Sequence, residues 1–280
     1  MKGLIRRLST AVIFVAVMLA GLYGGQIPFV ALFALITALC LWEFLTMVLA
    51  KFTRRDLFRL ILGVFFGLTP FVLATVLQLG LVQFQDDFII LTSILFFPFV
   101  FTAFIYELIA KATQPFLNVA FMVLGMVYIG APFALLDFIA FDDGRFYANT
   151  VFALLVMTWA NDTGAYLVGS RFGKHKLLPR ISPGKTIEGS VGGVVTTLLV
   201  AGLLGTFFVG EELRMVDWFV LGIIVAIFGS MGDLVESMLK RSVGVKDSGN
   251  LLPGHGGMLD RFDAFIFLLP FAAAYILYVR

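Results

Sequence analysis

The chain has 280 residues, 60% of them hydrophobic and 14% charged, with a net charge of +2 and a mean hydropathy of +1.02. That composition excludes a soluble globular domain, because apolar runs of about 20 residues, the length that crosses a hydrocarbon core, recur from end to end. The one cysteine, Cys40, lies in an apolar run and excludes a disulfide framework, and no stretch resembles a DNA- or RNA-binding surface.

The fold class is therefore an all-α polytopic integral membrane protein. Nine spans are expected, at about 8–24, 27–49, 60–80, 88–110, 117–140, 148–168, 189–209, 218–239 and 262–279. Charge sorts between their connections. Seventeen of the 20 bases fall on one side: Lys2, Arg6 and Arg7, then a group from Lys51 to Arg59, Lys111, a group from Arg171 to Lys185, and Lys240, Arg241, Lys246 and Arg261. Only Arg145, Arg214 and Arg280 lie on the other, among acids such as Asp86, Asp142, Asp143, Glu211 and Glu212. The positive-inside rule puts the N-terminus in the cytoplasm and, with nine spans, the C-terminus outside.

At the start, Lys2, Arg6 and Arg7 before an apolar run could pass for a signal peptide, but the many spans that follow favour an uncleaved first span. The first five spans carry little chemistry. Glu43 and Glu107 are read as structural, close enough to Lys51 and Lys111 to pair at the interface. The glycine pairs Gly21 and Gly25, Gly63 and Gly67, and Gly189 and Gly193 suit close helix packing. No repeat of fixed period is evident, and the halves lack the inverted symmetry common in transporters.

The character changes at the sixth span, where Asn161–Tyr166 reads N-D-T-G-A-Y, a polar interruption of an apolar helix. A basic loop follows, from Gly169 to Gly189. It has two readings: the ordinary basicity of a cytoplasmic loop, or a polyanion site built from Ser182, Lys185, Thr186 and exposed backbone N–H groups. Gly184-Lys185-Thr186 is not a P-loop, since Pro179 stands where the first glycine belongs and no soluble strand precedes it.

The densest polar stretch runs from Gly232 to Asp263, flanked on both sides by apolar sequence. An ionisable group at a helix centre in the bilayer costs about 2.5–3.5 kcal/mol on insertion scales, so the cluster needs a reason to exist. Asp233, Glu236, Ser237 and Lys240 fall at i, i+3, i+4 and i+7 and share one helix face. Asp260 and Asp263 are spaced i, i+3 at the start of the ninth span, where a helix N-terminus tolerates negative charge. A helical hairpin would bring both carboxylate pairs to similar depth just below the cytoplasmic surface. Carboxylates without Cys or His companions select hard cations such as Mg²⁺, Mn²⁺ or Ca²⁺. Acids to hold a metal, beside bases to hold phosphate oxygens, are the parts that phosphoryl and nucleotidyl transfer require. For Glu236 and Arg241 a structural role is an equal reading, and His255, flanked by glycines, would donate to phosphate or cap the turn.

The segment Ser237–Asp263 resembles the signature of the phosphatidate cytidylyltransferases, the CDP-diacylglycerol synthases. Ser237, Lys240, Arg241, Lys246, Asp247, Pro253, His255, Gly256, Gly257, Asp260, Arg261 and Asp263 all fit it, and S-P-G-K-T-I-E-G at Ser182–Gly189 and N-D-T-G-A-Y at Asn161–Tyr166 resemble further family segments. The first 150 residues match only as hydrophobic spans. The resemblance implies transfer of the cytidylyl group of CTP to phosphatidic acid, giving CDP-diacylglycerol and pyrophosphate, by a homodimeric enzyme of the plasma (inner) membrane with its site at the cytoplasmic face. It implies Mg²⁺, alone or with a second cation, on Asp233 and Asp260. Catalytic roles are expected for Asp233, Ser237, Lys240, Asp260 and Asp263. Ser182, Lys185, Thr186, Arg241, Lys246, His255 and Arg261 are expected to bind substrate phosphates.

Three regions are expected: a scaffold of four spans over 1–115, middle spans with dimer contacts over 116–168, and a catalytic region over 169–280. Two rivals stand beside this reading. One is a related CTP-using enzyme acting on another lipid, such as a polyprenol kinase or a CDP-archaeol synthase. The other is an ion-coupled transporter with Asp162, Asp233 and Glu236 along its path.

Overall fold

The computed structural model describes residues 2–52, 56–81, 97–98, 100–208, 213–251 and 256–280, with backbone alone for 2–9 and 50–52. Among these residues lie helices α1 (Lys2–Tyr23), α2 (Gln26–Phe52), α3 (Leu57–Gln78), α4 (Val100–Ile109), α5 (Pro115–Ala140), α6 (Ala148–Phe172), α7 (Ile187–Phe207), α8 (Met215–Val243) and α9 (Leu259–Val279). Seven are long and apolar enough to cross a membrane, at the places of the second, third and fifth to ninth predicted spans. The first and fourth predicted spans coincide with shorter apolar helices, Thr10–Tyr23 and Val100–Ile109. The chain is thus an all-helical polytopic membrane protein. Its residues gather into two compact units: Met1–Phe146 with Asp247–Asp260, and Tyr147–Lys246 with Arg261–Arg280.

In the first unit α2, α3 and α5 surround a core of Phe29, Phe33, Phe44, Phe66, Phe71 and Phe133, all but excluded from solvent. Gly63 and Gly67 of α3 sit against Leu45 and Leu41 of α2, so this glycine pair serves packing within the chain, as four-residue spacing predicts. Helix α5 carries a π-turn at Met126–Gly130, with Pro132 two residues beyond its end. A proline ring cannot donate to the helix ladder, and a one-residue widening is a known way to absorb that loss. After α5 the chain reverses through the hairpin β1 (Phe141–Asp142) and β2 (Arg145–Phe146). Its turn residues Asp143 and Gly144 both have positive φ, 45° and 75°, as a two-residue type I′ turn demands. Phe141 and Phe146 stack at 5.2 Å and pack edge-on against Phe29.

Of the buried acids of this unit, Glu43, Glu107 and Asp137, Glu107 has partners other than the one expected. Glu107, 1% exposed, accepts from Arg59 Nε at 2.5 Å, Arg59 Nη2 at 3.1 Å and Asn118 Nδ2 at 2.6 Å, rather than pairing with Lys111. The physical reason is local. Lys111 has φ +49° and lies past the end of α4, so the i, i+4 geometry that a continuing helix would give is lost. Glu43 binds the chain near Ser248 and Met258. Lys51, its expected partner, has a side chain outside the described set.

In the second unit α6 and α7 pack closely along glycines. Gly193 lies against Asn161 and Gly189 against the Ala165 carbonyl, where an added Cβ would come within 2.6 and 2.8 Å. Helix α8 carries its own π-turn at Val225–Gly229 and ends at Gly244, whose φ of +79° is the left-handed stop that glycine adopts without a Cβ penalty. The amides of Gly244 and Val245 close this cap on the carbonyls of Arg241 and Lys240. Farther along, Phe228 of α8 stacks on Phe271 of α9, and Tyr275 donates to Asp217 at 2.8 Å.

Removing one partner of a buried ion pair strands the other. Glu107→Ala is expected to cost about 3–5 kcal/mol of stability, read from denaturant unfolding in detergent, with much of the loss recovered in Arg59→Met/Glu107→Leu.

Candidate functional site

The polar chemistry of the second unit centres on Asp233. It stands in α8 just beyond Gly232, where α9 approaches closely: a Cβ there would lie 2.7 Å from the Asp263 carbonyl and 3.0 Å from Ala264 Cα. Absence of a side chain at 232 therefore lets the acid-bearing turns of α8 and α9 meet. The carboxylates of Asp162 (α6), Asp233 and Asp263 lie within electrostatic reach of one another, with Lys185, Lys240 and Arg261 as the nearby cations. Lys185 Nζ is 2.7 Å from Asp233 Oδ2 and 3.5 Å from the Ser230 carbonyl, and Ser237 donates to Asp233 Oδ1 at 3.3 Å. Asp233 and Lys185 remain about one-third and one-quarter exposed, so both are accessible to a soluble ligand.

Asn161 braces this arrangement. Its amide donates to Ser230 Oγ at 3.2 Å and its carbonyl accepts from Thr197 at 3.4 Å, joining α6, α7 and α8. One turn on from Asp233, Glu236 is fully buried and pairs with Lys240. The shared face of Asp233, Glu236, Ser237 and Lys240 thus resolves into two bonded couples.

The basic loop is an ordered hairpin. Strand β3 (Lys176–Leu178) pairs antiparallel with β4 (Ser182–Thr186), with an irregularity between Lys176 and Leu178. The hairpin is tied to the start of α7. Glu188 accepts from the amides of Lys174 and His175 and contacts His175 Nδ1 at 2.6 Å, while the Ile187 amide donates to the His175 carbonyl. Thr186 is the N-cap of α7, its hydroxyl accepting from the Gly189 amide at 3.1 Å. Ser182 is half-buried opposite Leu178, and Lys185 is directed at Asp233.

Arg241 is exposed and donates to the Val245 carbonyl at 3.1 Å; Lys246 and Arg261 are exposed. His255 lies outside the described residues. Asp260 belongs to the first unit, where its Oδ2 accepts from the amides of Ser248 at 3.0 Å and Gly257 at 2.8 Å. Two participants were not singled out from sequence. Asp162 was named only as part of a transport path, and Asn161 only within its motif, although a polar pair inside an apolar helix was a usable signal for both.

This donor set suits a hard cation, with a restriction. Among the described residues no group of three or more His, Cys, Asp or Glu side chains is arranged to cage a metal. Mg²⁺, however, ordinarily keeps several waters and is held through one or two carboxylates together with substrate phosphates. Asp233 with its acidic neighbours fits that mode, in which the substrate completes the coordination. The cations around it fit phosphate oxygens as point charges.

A sequence model described as the cytidylyltransferase family matches residues 5–279. The chain is 47% identical over 165 residues to a protein of Staphylococcus haemolyticus named phosphatidate cytidylyltransferase, covering 59% of this chain and 62% of that one. Proteins of the same name from Staphylococcus saprophyticus and Staphylococcus aureus (strain COL) are 46% identical over 165 and 167 residues. The matched region thus spans 62% of the length of these relatives.

If Thr186 acts as a helix cap, Thr186→Val should lower stability by about 1 kcal/mol and Thr186→Ser should restore it. Thermal unfolding in detergent, with amide exchange at Gly189, would check this.

Proposed function

The chain belongs to the cytidylyltransferase family, and from that premise we propose that it transfers the cytidylyl group of CTP to phosphatidic acid, giving CDP-diacylglycerol and pyrophosphate. The observation that carries the reading is the juxtaposition of Asp162, Asp233 and Asp263 with Lys185, Lys240 and Arg261, inside the segment whose motifs resemble the phosphatidate enzymes. The names of the Staphylococcus relatives support the choice of lipid.

In this reaction an oxygen of the lipid phosphate forms a bond to the α-phosphorus of CTP while the bond to the β-phosphate oxygen breaks. The electron pair leaves with pyrophosphate. The nucleophile is an anion at neutral pH, so no general base is required, and the obstacle is repulsion between two anions. Lys185, on strand β4, would bind triphosphate oxygens, and Lys240 and Arg261 would offset charge on the departing pyrophosphate. Arg241, Lys246, His255 and Ser182 would extend the cationic and hydrogen-bonding surface for phosphate, while Ser237 orients Asp233. By the family resemblance Asp233 and Asp260 are the acids that would hold Mg²⁺, or Mg²⁺ and a second cation; Asp162 and Asp263 would add negative potential beside Asp233. When bound, the metal supplies positive charge at the phosphate oxygens.

The sorting of bases to one side of the spans supports a site at the cytoplasmic face of the plasma membrane, where CTP is available and the lipid can enter laterally. A homodimer follows from the family resemblance.

The test uses purified protein in detergent with phosphatidic acid, Mg²⁺ and CTP labelled at the α-phosphate, following label into the lipid fraction. Incorporation that requires Mg²⁺, and that falls by roughly two orders of magnitude or more in Asp233→Asn and in Asp260→Asn, is the expected outcome. No incorporation by folded wild type would remove the reading. Near-normal activity of both variants at low Mg²⁺ would remove the metal assignment.

A further inference from the structure

Glu43, near the middle of α2 in sequence terms remote from every motif above, is 7% exposed and receives three hydrogen bonds from a single stretch of chain over 200 residues away. Its Oε1 accepts from the Met258 amide at 2.9 Å. Its Oε2 accepts from the Leu259 amide and the Ser248 hydroxyl, each at 2.9 Å. Met258 and Leu259 sit at the start of α9, where the first amides of a helix lack partners of their own, so the carboxylate serves as an external N-cap and meets the positive end of the helix dipole.

The same stretch holds Asp260, and the two acids share their supports. Ser248 donates through its hydroxyl to Glu43 and through its amide to Asp260; Met258 and Leu259 donate to Glu43, and the preceding Gly257 amide to Asp260. The glycines around them leave room for this clamp. A Cβ on Gly249 would lie 2.6 Å from Glu43 Oε1, a Cβ on Gly257 would collide with Ser248 Oγ and Glu43 Oε2, and Gly256 adopts φ +82° with Asp260 Oδ2 at 2.7 Å from a Cβ position. An acid that is buried, triply bonded and enclosed by glycines is built for one geometry; one of its partners, Ser248, also donates to Asp260, and the Gly257 amide that binds Asp260 directly precedes its partner Met258.

We infer that Glu43 is a positioning residue for the proposed cytidylyl transfer: it does not touch substrate but pins Ser248 and the turn at Gly257–Leu259 so that the Asp260 carboxylate is held in one orientation. The inference rests on the function proposed above. A support of this kind acts on turnover more than on lipid binding, because the turn it holds bears a carboxylate assigned to charge stabilisation and not to acyl chains.

The test compares wild type, Glu43→Gln and Ser248→Ala in the labelled-CTP assay, alongside thermal unfolding and hydrogen exchange in detergent. Glu43→Gln retains size but sets an NH₂ group against one of the donors. It is expected to lose roughly 10–100-fold in kcat. KM for phosphatidic acid should stay within about twofold while the Mg²⁺ needed for half-maximal rate rises, and amide protection should fall over 256–260 without falling along α2. Ser248→Ala, which removes one bond and keeps the carboxylate, should show a smaller loss of the same kind. The inference is overturned if Glu43→Gln turns over within about twofold of wild type, or if its loss tracks the unfolding midpoint and vanishes on cooling. Should Glu43→Gln fail to fold, a wild-type kcat in Ser248→Ala overturns it. An inactive wild type would instead remove the cytidylyl-transfer reading, and the exchange measurement would still decide whether Glu43 pins the turn.

Discussion

A carboxylate among apolar helices persists only if donors or cations are brought to it, because the interior offers little water to do so. That requirement organises the described part of this molecule. Glu107 draws in Arg59 and Asn118, Glu43 draws in the turn before α9, and Asp233 draws in Lys185 and Ser237. In each case the acid joins elements that are far apart in sequence, so satisfying its charge and building the tertiary structure are the same event.

The three clusters differ in how completely they are closed. The Glu107 group is almost wholly buried, and its two-point contact with Arg59 leaves a fixed geometry with little access. The Asp233 group is partly open, with both Asp233 and its partner Lys185 reachable from solvent. Closed clusters suit scaffold; an open one, with acids and bases both present, suits exchange with a charged ligand. Backbone supports the distinction, since the Gly232 contact and the adjoining π-turn at Val225–Gly229 shape α8 beside the open group.

Much of this was legible beforehand. Seven predicted spans coincide with long apolar helices because a run of about 20 apolar residues has few other solutions in a bilayer. The acids of α8 and α9 were legible because ionisable residues in such sequence are expensive. Partner choice was not. Glu107 was matched to Lys111 by sequence distance, but the chain leaves the helix before Lys111, and Arg59 lies 48 residues away. Glu43 was set against a nearby lysine for the same reason, while its hydrogen-bond partners stand 205–216 residues on. From sequence the β3–β4 segment reads only as loop, since its strands are short and its pairing is irregular. A charged residue announces from sequence that it needs a partner, whereas which partner it finds is a property of the fold.

The contact between Lys185 and Asp233 has a consequence for how a nucleotide would arrive. In the resting protein each of these charges is already neutralised by the other, so a lone polyanion taking Lys185 would strip the acid of its counter-charge, and a lone cation taking Asp233 would strip the lysine. Either half-step takes the bonded counter-charge from one member of the pair and puts nothing in its place. A nucleotide that comes with its own divalent ion replaces both partners at once and keeps the total balanced throughout. Under the function proposed above, the ion pair would act as an electrical latch that opens most readily to a ligand carrying both signs.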